Sequence, residues 1–170
     1  MNKNVVLKPV LLEEREILSN LMEKYHYEFT QYEPRDVNKL GLYGYQYLDY
    51  YWTDNKRWAY FIIVDGNLAG FVLVRNHPLE GTETDFVISE FFVMYKYRRF
   101  GVGRQAFNKV LDKHRGRWRI CLHPKNTESM HFWESVTREY TEGQYELVRS
   151  HPKVIYKDGS LGNVFLFRTL

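Results

Sequence analysis

The sequence has a single cysteine, Cys121, so it cannot form an intrachain disulfide, and disulfide-stabilised secreted domains are excluded as a class. Cys121 lies in a predicted strand, where we expect it to pack in the interior rather than to act as a nucleophile. The sequence also lacks any apolar run near the roughly 20 residues that span a bilayer. Met1 to Val5 lack the apolar region of a signal peptide. We therefore expect a cytoplasmic protein without a membrane partner.

The chain contains no repeat, linker or low-complexity segment, and its 170 residues suit one domain with a substantial core. Hydrophobic residues make up 44% of the chain and charged residues 26%, which is typical of folded globular proteins. Aromatic residues reach 17%, a level that predicts an aromatic-lined site besides the core. We predict a single domain over residues 1–170 and no metal site.

The net charge is only +3, but the charges are unevenly distributed. Basic residues dominate between Lys96 and Arg119, and acidic residues dominate between Glu13 and Asp36. A basic segment can indicate nucleic-acid binding, but aromatic residues do not alternate with these basic residues as a stacking platform requires. A small cofactor with several phosphates accounts for the same charge, so we expect no nucleic-acid partner.

The stretch from Glu90 to Arg104 carries the strongest functional signal. An apolar run ends in a basic turn, and the turn opens a helix whose apolar residues repeat at the spacing of one helical face as far as Leu111. Gly101 and Gly103 allow the backbone to approach a ligand closely. The first N–H groups of a helix have no partner inside it, and the helix dipole is positive at that end. Together these features predict a phosphate-binding site.

The run from Val93 to Gly103 resembles motif A of the GNAT superfamily of N-acetyltransferases, Arg/Gln-x-x-Gly-x-Gly/Ala, through Arg98, Gly101 and Gly103. The segment from Asn126 to Glu134 is similar to a second signature of that family, Asn-x-x-Ala-x-x-Phe-Tyr-Glu. The resemblance implies acetyl-coenzyme A as the cofactor. It implies that the pyrophosphate is bound by Arg98, Arg99, Gly101, Val102, Gly103 and Arg104, and the pantetheine arm by Phe91, Val93 and Asn126.

The resemblance also implies two catalytic roles. An alkyl amine has a pKa near ~10 and is protonated at neutral pH, so a base must remove a proton before the amine can attack a thioester. The family carries this base on the strand before motif A, where Glu90 stands, and a free N–H group at Val93 matches the family's donor to the oxyanion. Asp85 and Glu83 are alternative bases, and a structural ion pair is an alternative role for Glu90.

The chain departs from the family at Trp133, where many members have a tyrosine that protonates the leaving thiolate. An indole cannot deliver a proton at a useful pH. Tyr140, Tyr95 or water could replace it, or coenzyme A could leave as a thiolate.

The glycines allow two other interpretations. Gly101 to Ala106 also satisfies the dinucleotide-binding pattern Gly-x-Gly-x-x-Gly/Ala, which requires a strand running straight into the first glycine and an acid after the next strand. Here the residues before Gly101 are mostly polar, and the next predicted strand ends in His123-Pro124-Lys125. The other interpretation is a loop with solvated arginines.

Elsewhere the pattern predicts strands and helices in the order β-α-α-β-β-β-α-β-α-β-β, the order of the GNAT fold. We therefore expect an α/β protein, with a mixed, mostly antiparallel central sheet flanked by helices. Asp65-Gly66-Asn67 predicts a hairpin, and Gly70 a bulge or a close backbone approach. The predicted elements are Val5–Val10, Leu12 to Tyr25, Tyr47 to Trp52, Trp58–Val64, Leu68–Arg75, a strand from Phe86, a helix from Gly103 to His114, Trp118–Leu122, Thr127–Val136, Tyr145–Ser150 and Val164–Arg168.

The function implied by the resemblance is acetyl transfer to a primary amine. Residues 90–101 are similar to polyamine acetyltransferases, so we expect a small-molecule amine as the acceptor. We expect the aromatic-rich stretch Asp36 to Asp54 to line the pocket of the acceptor. The acids of the first helix either attract the positive charge of the amine or form a solvated helix face. A peptide or protein amine is an alternative acceptor. An alternative function is that of a non-catalytic module that binds coenzyme A or a partner. The sequence is also compatible with a homodimer.

Overall fold

The computed structural model describes residues 3–79 and 83–169, so the middle of the predicted polar loop from His77 to Thr84 lies outside the described residues. Within those ranges the helices are α1 (Arg15–Phe29), α2 (Tyr50–Thr53), α3 (Val102–Lys113) and α4 (Thr127–Tyr140). The strands are β1 (Val5–Pro9), β2 (Arg57–Val64), β3 (Asn67–Arg75), β4 (Phe86–Val93), β5 (Arg117–Leu122), β6 (Tyr145–Val148) and β7 (Asn163–Arg168). The predicted order of elements is confirmed.

Several bounds differ from the prediction for local reasons. Helix α4 continues past Val136 to Tyr140 because Thr137 is fully buried, so the buried face extends for another turn. Strand β6 ends at Val148, two residues before Ser150, whose φ of 50° is incompatible with a strand. Helix α2 is shorter than the predicted face and begins at Tyr50.

The strands form one seven-stranded sheet in the order β1-β2-β3-β4-β5-β7-β6. Strands β4 and β5 are parallel and all other neighbours are antiparallel, which confirms the predicted mixed sheet. One buried cluster joins one face of the sheet to α3 and α4, through Phe107, Leu111 and Trp133. A second cluster joins the other face to α1 and α2, through Leu18, Met22 and Tyr51. Helices therefore cover both faces.

The sheet opens between its two parallel strands. The pairing of β4 with β5 covers only Phe86 to Ile88, whereas β4 stays paired with β3 as far as Val93. Strand β5 in turn stays paired with β7 to its end at Leu122. The edge of β4 from residue 89 onward therefore faces a gap instead of a neighbouring strand, and we call this opening the β4–β5 gap.

A bulge in β4 lies at the start of the gap. Val74 of β3 is opposite Ile88, but Leu73 is opposite Glu90, so Ser89 is the extra residue. Ile88 belongs to the cluster under α3 and α4, and Leu73 to the cluster under α1 and α2. The bulge therefore turns Glu90 to the α1/α2 face, although it follows Ile88 by two residues.

Gly70 confirms the expected close approach, since a Cβ atom there would lie 1.9 Å from the carbonyl oxygen of Phe92. In the part of the chain that the structure describes, no helix is long and apolar enough to cross a membrane.

Candidate active site

Glu90 is half-buried at the mouth of the β4–β5 gap, on the α1/α2 face of the sheet. Burial raises the pKa of its carboxyl group to about 7, because the ionised form loses its water. Hydrogen bonds from the side chains of Tyr25 and Tyr45 act in the opposite direction and favour the carboxylate. An acid with a pKa near neutrality can take a proton and release it, as a general base must.

Aromatic side chains surround Glu90 on this face. The ring of Tyr25 packs edge-on against Phe71 at 5.9 Å and Phe92 at 6.0 Å between centroids. Tyr45 and Tyr51 come from the aromatic-rich stretch in the predicted acceptor region, and burial and Glu90 raise the pKa of both. Tyr47 and Tyr50 of the same stretch are about half exposed and stack on each other. The stretch therefore divides into a buried half beside the carboxylate and an outer half.

The end of β4 turns its polar edge toward the gap. The N–H group of Met94 donates to Ala69 O at 2.9 Å, on the β3 side. Since N–H groups alternate between the two edges of a strand, those of Phe91 and Val93 point away from β3 and into the gap. The side chains of the same two residues pack on the core under α3 and α4. This edge can bind an extended ligand through its main chain.

Arg98 fixes the turn after β4. Its Nε donates to Val93 O at 2.6 Å, and its Nη2 donates to both carboxylate oxygens of Glu28 in α1, at 3.0 and 2.7 Å. The guanidinium also lies 3.9 Å above the ring centroid of Tyr95. The side chain of Arg98 is thus committed to contacts within the fold and positions the turn.

Gly101 is the N-cap of α3 and has a φ of 73°, in the left-handed region that favours glycine. The first hydrogen bond of the helix runs from Gln105 N–H to Gly101 O, at 3.0 Å. The N–H groups of Val102, Gly103 and Arg104 therefore have no carbonyl partner inside the helix. They form an anion site at the positive end of the helix dipole, and these residues fit the pyrophosphate of coenzyme A.

Gly103 serves a different purpose from Gly101. A Cβ atom at Gly103 would lie 3.0 and 3.1 Å from ring atoms of Phe132 in α4. The glycine therefore permits close packing of α3 on α4, rather than an unusual backbone angle.

Arg99 and Arg104 lie on the outside of this anion site. Arg99 is 86% exposed and pairs with Glu128 at 3.3 Å, and Arg104 is 48% exposed and pairs with Glu139 at 2.9 Å. Exposed ion pairs are weak, so either side chain can exchange its partner for a phosphate.

Asn126 is the N-cap of α4, because its side-chain oxygen accepts a hydrogen bond from Ser129 N–H at 3.0 Å. The cap bond uses the oxygen of the amide and leaves its NH2 group to serve a ligand. Trp133, further along α4, is buried between Phe91 and Phe107, with centroids 5.1 and 5.7 Å away. It is part of the core.

The other acid–base candidates lie apart from Glu90 or are engaged. The hydroxyl of Tyr140 contacts Asp112 and Arg115 at 3.2 Å each, where α3 ends. Glu83 and Asp85 both pair with Arg117, which lowers the pKa of Asp85 and so weakens it as a base. Tyr95 is 72% exposed at the end of β4.

Tyr156 and His123 also belong to this region, although no sequence pattern indicates them. Tyr156 lies between β6 and β7, and its pKa is raised by burial, by Cys121 and by Glu90. Its ring packs against His123 at 4.6 Å, and Nε2 of His123 lies 3.3 Å from Asp158. Tyr156 approaches Glu90 only because the sheet brings β4 and β5 together with the β6–β7 connection, so sequence spacing carries no signal for it.

A cleft of about 830 Å3 opens between α1, the loop before α2 and the end of β4. Two of its lining acids have partners in the fold. Glu23 accepts from the N–H groups of Tyr43 and Gly44 at 2.8 Å each, and Glu28 holds Arg98. These carboxylates stabilise the walls of the cleft, which gives them a role within the fold.

The strand does not run straight into the first glycine, as a dinucleotide-binding turn requires. A 3-10 turn from Tyr95 to Tyr97 separates β4 from Gly101.

The model of the Acetyltransferase (GNAT) family matches residues 16–137. The fold is similar to that of an acetyltransferase from Thermus thermophilus, with a TM-score of 0.70 at 15% identity, over 98% of this chain and 97% of that chain. It is also similar to Arabidopsis thaliana NAA60 in complex with acetyl-CoA, with a TM-score of 0.61 at 13% identity, over 97% and 98% of the two chains. A third similar structure is a spermidine N-acetyltransferase chimera, SpeG from Vibrio cholerae and hSSAT, with a TM-score of 0.63 at 12% identity, over 96% and 95%.

None of the curated proteins matches this chain in sequence. The structural likenesses have low identity and concern the fold, whereas the family model covers most of the chain and includes both β4 and the anion site. The chain therefore belongs to the GNAT family and is an acetyltransferase that uses acetyl-coenzyme A.

Proposed function

We propose that this enzyme transfers the acetyl group of acetyl-coenzyme A to the primary amine of a small molecule, with Glu90 as the general base. The observation that carries the proposal is the position of Glu90. Its carboxyl group, with a pKa of about 7, lies among tyrosines where β4 leaves β5. One structural neighbour is a spermidine N-acetyltransferase, which supports a small amine as the acceptor.

The chain offers separate groups to each part of the coenzyme. The N–H groups of Gly101, Val102, Gly103 and Arg104 would bind the pyrophosphate, with the exposed side chains of Arg99 and Arg104 beside it. The polar edge at Phe91 and Val93 would bind the pantetheine arm as a neighbouring strand would, with the NH2 group of Asn126 across the gap. Arg98 would act by holding the turn in place.

The chemistry then follows from two groups of the chain. Acetyl-coenzyme A supplies an acyl group activated as a thioester. Glu90 accepts a proton from the ammonium form of the acceptor, and the low-dielectric tyrosine cluster strengthens this interaction. The N–H group of Val93 donates to the carbonyl oxygen as negative charge develops there. The amine nitrogen would form the new C–N bond as the C–S bond breaks. Trp133 cannot protonate the departing sulfur, so that proton would come from water or from Tyr95.

The first test is a thermal shift with coenzyme A and acetyl-coenzyme A, on the wild type and on Gly103→Trp. A ligand that binds only the folded state raises the melting temperature. An indole at position 103 would collide with Phe132 and cover the anion site. We expect the shift in the wild type and its loss in the folded variant. No shift at millimolar ligand would leave the fold without its coenzyme and point to a partner-binding module.

The second test measures thiol release from acetyl-coenzyme A with a panel of small amines and short peptides. Glu90→Gln should lower the rate roughly ten- to a thousand-fold for any accepted amine. The matched control is Glu83→Gln, which also removes one carboxylate but at an exposed position paired with Arg117. An unchanged rate in Glu90→Gln would remove Glu90 from the mechanism, and a preference for peptides would replace the small-molecule acceptor.

A further inference from the structure

Two arginines flank one residue of β4 on the face of the sheet that carries Glu90. Val87 is opposite Arg75 of β3 on one side and opposite Arg119 of β5 on the other. Residues opposite each other in neighbouring strands point to the same face. Arg75 and Leu73 are two residues apart in β3 and share a face, and Leu73 is the partner of Glu90. The two arginines therefore occupy the row of the sheet next to that of Glu90.

Both guanidinium groups are short of partners. Arg119 is only 5% exposed, and its Nε and Nη1 atoms are buried without a hydrogen bond. Its Nη2 has one long contact, 3.4 Å to His77 O. The Nε atom of Arg75 is also buried without a partner. Among residues 3–79 and 83–169, no carboxylate forms an ion pair with either arginine.

Two neighbouring arginines, in contrast, form ion pairs with carboxylates. Arg57 lies opposite Arg75 in the same row and pairs with Asp54 at 3.2 Å. Arg117, two residues before Arg119, pairs with Asp85 and Glu83. Arg57 and Arg117 are therefore paired with carboxylates, whereas Arg75 and Arg119 form no ion pair in the part of the chain that the structure describes.

Arg119 is a buried positive charge without an ion pair, and such a charge costs free energy. Burial and Arg75 lower the pKa of Arg119, whereas the thiol of Cys121 acts in the opposite direction. Arg75 is half-buried, and its charge favours the carboxylate of Glu90. An anion between them would recover that cost, and a carboxylate matches the planar fork of a guanidinium. Two further buried hydroxyls lie on this face, those of Ser89 and Tyr51, and they interact with each other. Ser89 is the bulge residue that separates Val87 from Glu90 along the strand.

The anion is not that of the coenzyme. The phosphate-binding N–H groups belong to α3, which packs on the opposite face and follows the far end of β4. Val87 precedes Val93 by six strand residues, a separation of roughly 20 Å. Along β4, the order is the polar edge at Val93, then Glu90, then the arginines. A group that reaches the arginines therefore approaches Glu90 from the side opposite to the thioester.

We propose that the acceptor is an amino acid or a related amine with a carboxylate, which Arg75 and Arg119 bind while its amine lies at Glu90. This rests on the proposed function and adds the substrate class. The site is complementary to a zwitterion, since the base attracts the ammonium end and the arginines attract the carboxylate end. A simple amine would leave both guanidinium groups uncompensated, so it should be a poor acceptor.

The test compares acceptors that differ only by the carboxylate: alanine with ethylamine, phenylalanine with phenethylamine, and lysine with 1,5-diaminopentane. We expect kcat/KM in the wild type to be at least about ten-fold higher for one or more amino acids than for the matching amine. Arg119→Gln should remove that preference by lowering the amino-acid value and leaving the amine value unchanged. Arg75→Gln should also remove the preference, and it is judged by the ratio of the two values because the charge of Arg75 favours the carboxylate of Glu90. Arg168→Gln, at an exposed position of β7, is the matched control and should keep the preference.

Folding of the variants is checked by their melting temperatures. Removal of a buried unpaired charge is neutral or stabilising, so Arg119→Gln should melt at or above the wild-type temperature, yet show no stabilisation by the preferred amino acid. Equal or better use of the simple amines, with no change in Arg119→Gln, would overturn the carboxylate site and leave acetyl transfer standing. Failure of every amine in the wild type would instead overturn the proposed function.

Discussion

Arg98 and Glu28 join the turn after β4 to α1 across the mouth of the cleft. The pair is part-buried, with about a quarter of each side chain exposed, and the same guanidinium holds the carbonyl of Val93. The turn that we propose for coenzyme binding is therefore tied to α1, which forms one wall of the cleft.

Replacement of Arg98 by lysine should weaken coenzyme binding. A lysine keeps the charge but cannot contact Glu28 and Val93 O together, and loss of a hydrogen bond to a charged group costs about 1.5–3 kcal/mol, or roughly ten- to a hundred-fold in Kd. Glu28→Gln leaves the bond to Val93 O intact and should weaken binding less. Calorimetric titration with coenzyme A measures both. Equal losses would show that the ion pair, and not the bond to the strand, positions the turn.

The rate of acetyl transfer should increase as the carboxyl group of Glu90 ionises. Its pKa is raised to about 7, so the base is mostly protonated at pH 6 and kcat should rise with pH through about 7. Tyr25→Phe removes a hydrogen bond that favours the carboxylate, so the pKa of Glu90 should rise further and the profile should move to higher pH. Tyr27→Phe, at a 72% exposed position of the same helix, should leave the profile in place. A shift to lower pH in Tyr25→Phe would contradict this account.

A comparison of Gly101→Ala with Gly143→Ala tests whether the shape of the turn at Gly101 is needed for coenzyme binding. Both glycines have positive φ, 73° and 82°, and an added Cβ would meet no atom within 4 Å at either position. Alanine should therefore cost each variant about 1–2 kcal/mol of unfolding free energy through backbone strain alone. Only Gly101→Ala should also weaken coenzyme A binding, because only Gly101 shapes the start of α3. Similar affinities of the two variants would mean that the turn tolerates strain without moving its N–H groups.

His114 should make the protein less stable in mild acid. Burial lowers its pKa to about 4, and its Nε2 lies 2.8 Å from the hydroxyl of Tyr60. A histidine with a depressed native pKa binds fewer protons when folded, so its contribution is present above the unfolded value of about 6.5 and is lost as the pH falls toward 4. The unfolding free energy of the wild type should fall by about 2 kcal/mol relative to His114→Gln between pH 7 and pH 5.

Glutamine is chosen at position 114 because its amide can keep the contact with Tyr60. The control is His131→Gln, at an exposed position of α4, which should follow the wild-type pH dependence. If the unfolding free energies of the wild type and His114→Gln changed equally with pH, a group other than His114 would cause the acid sensitivity.

Local patterns in the sequence were sufficient for much of the fold. The glycine turn predicts the start of α3 because φ at Gly101 is a local requirement, and Asn126 predicts the start of α4 because its cap bond spans only three residues. The packing role of Gly103 was not predictable in this way, since it depends on Phe132 in another helix.

The acceptor side depended on information that the sequence pattern does not contain. By strict alternation Glu90 would share a face with Ile88, and only the bulge at Ser89 places it among the tyrosines. The pairing of Arg75 and Arg119 across Val87 depends on the register of three strands that are distant along the chain. The approach of Tyr156 to Glu90 depends on a connection that follows the last helix.

The β4–β5 gap also has a consequence for the handling of the protein. An unpaired strand edge inside a sheet can accept a strand from another molecule as readily as a pantetheine arm. Chains that have not yet bound coenzyme A would therefore expose an unpaired strand edge, prone to association, in the middle of the sheet. Addition of coenzyme A during cell lysis and concentration should raise the yield of monomeric protein, and its removal by dialysis should promote slow association. The coenzyme would then act as a temporary strand that protects the fold as well as supplying the acetyl group.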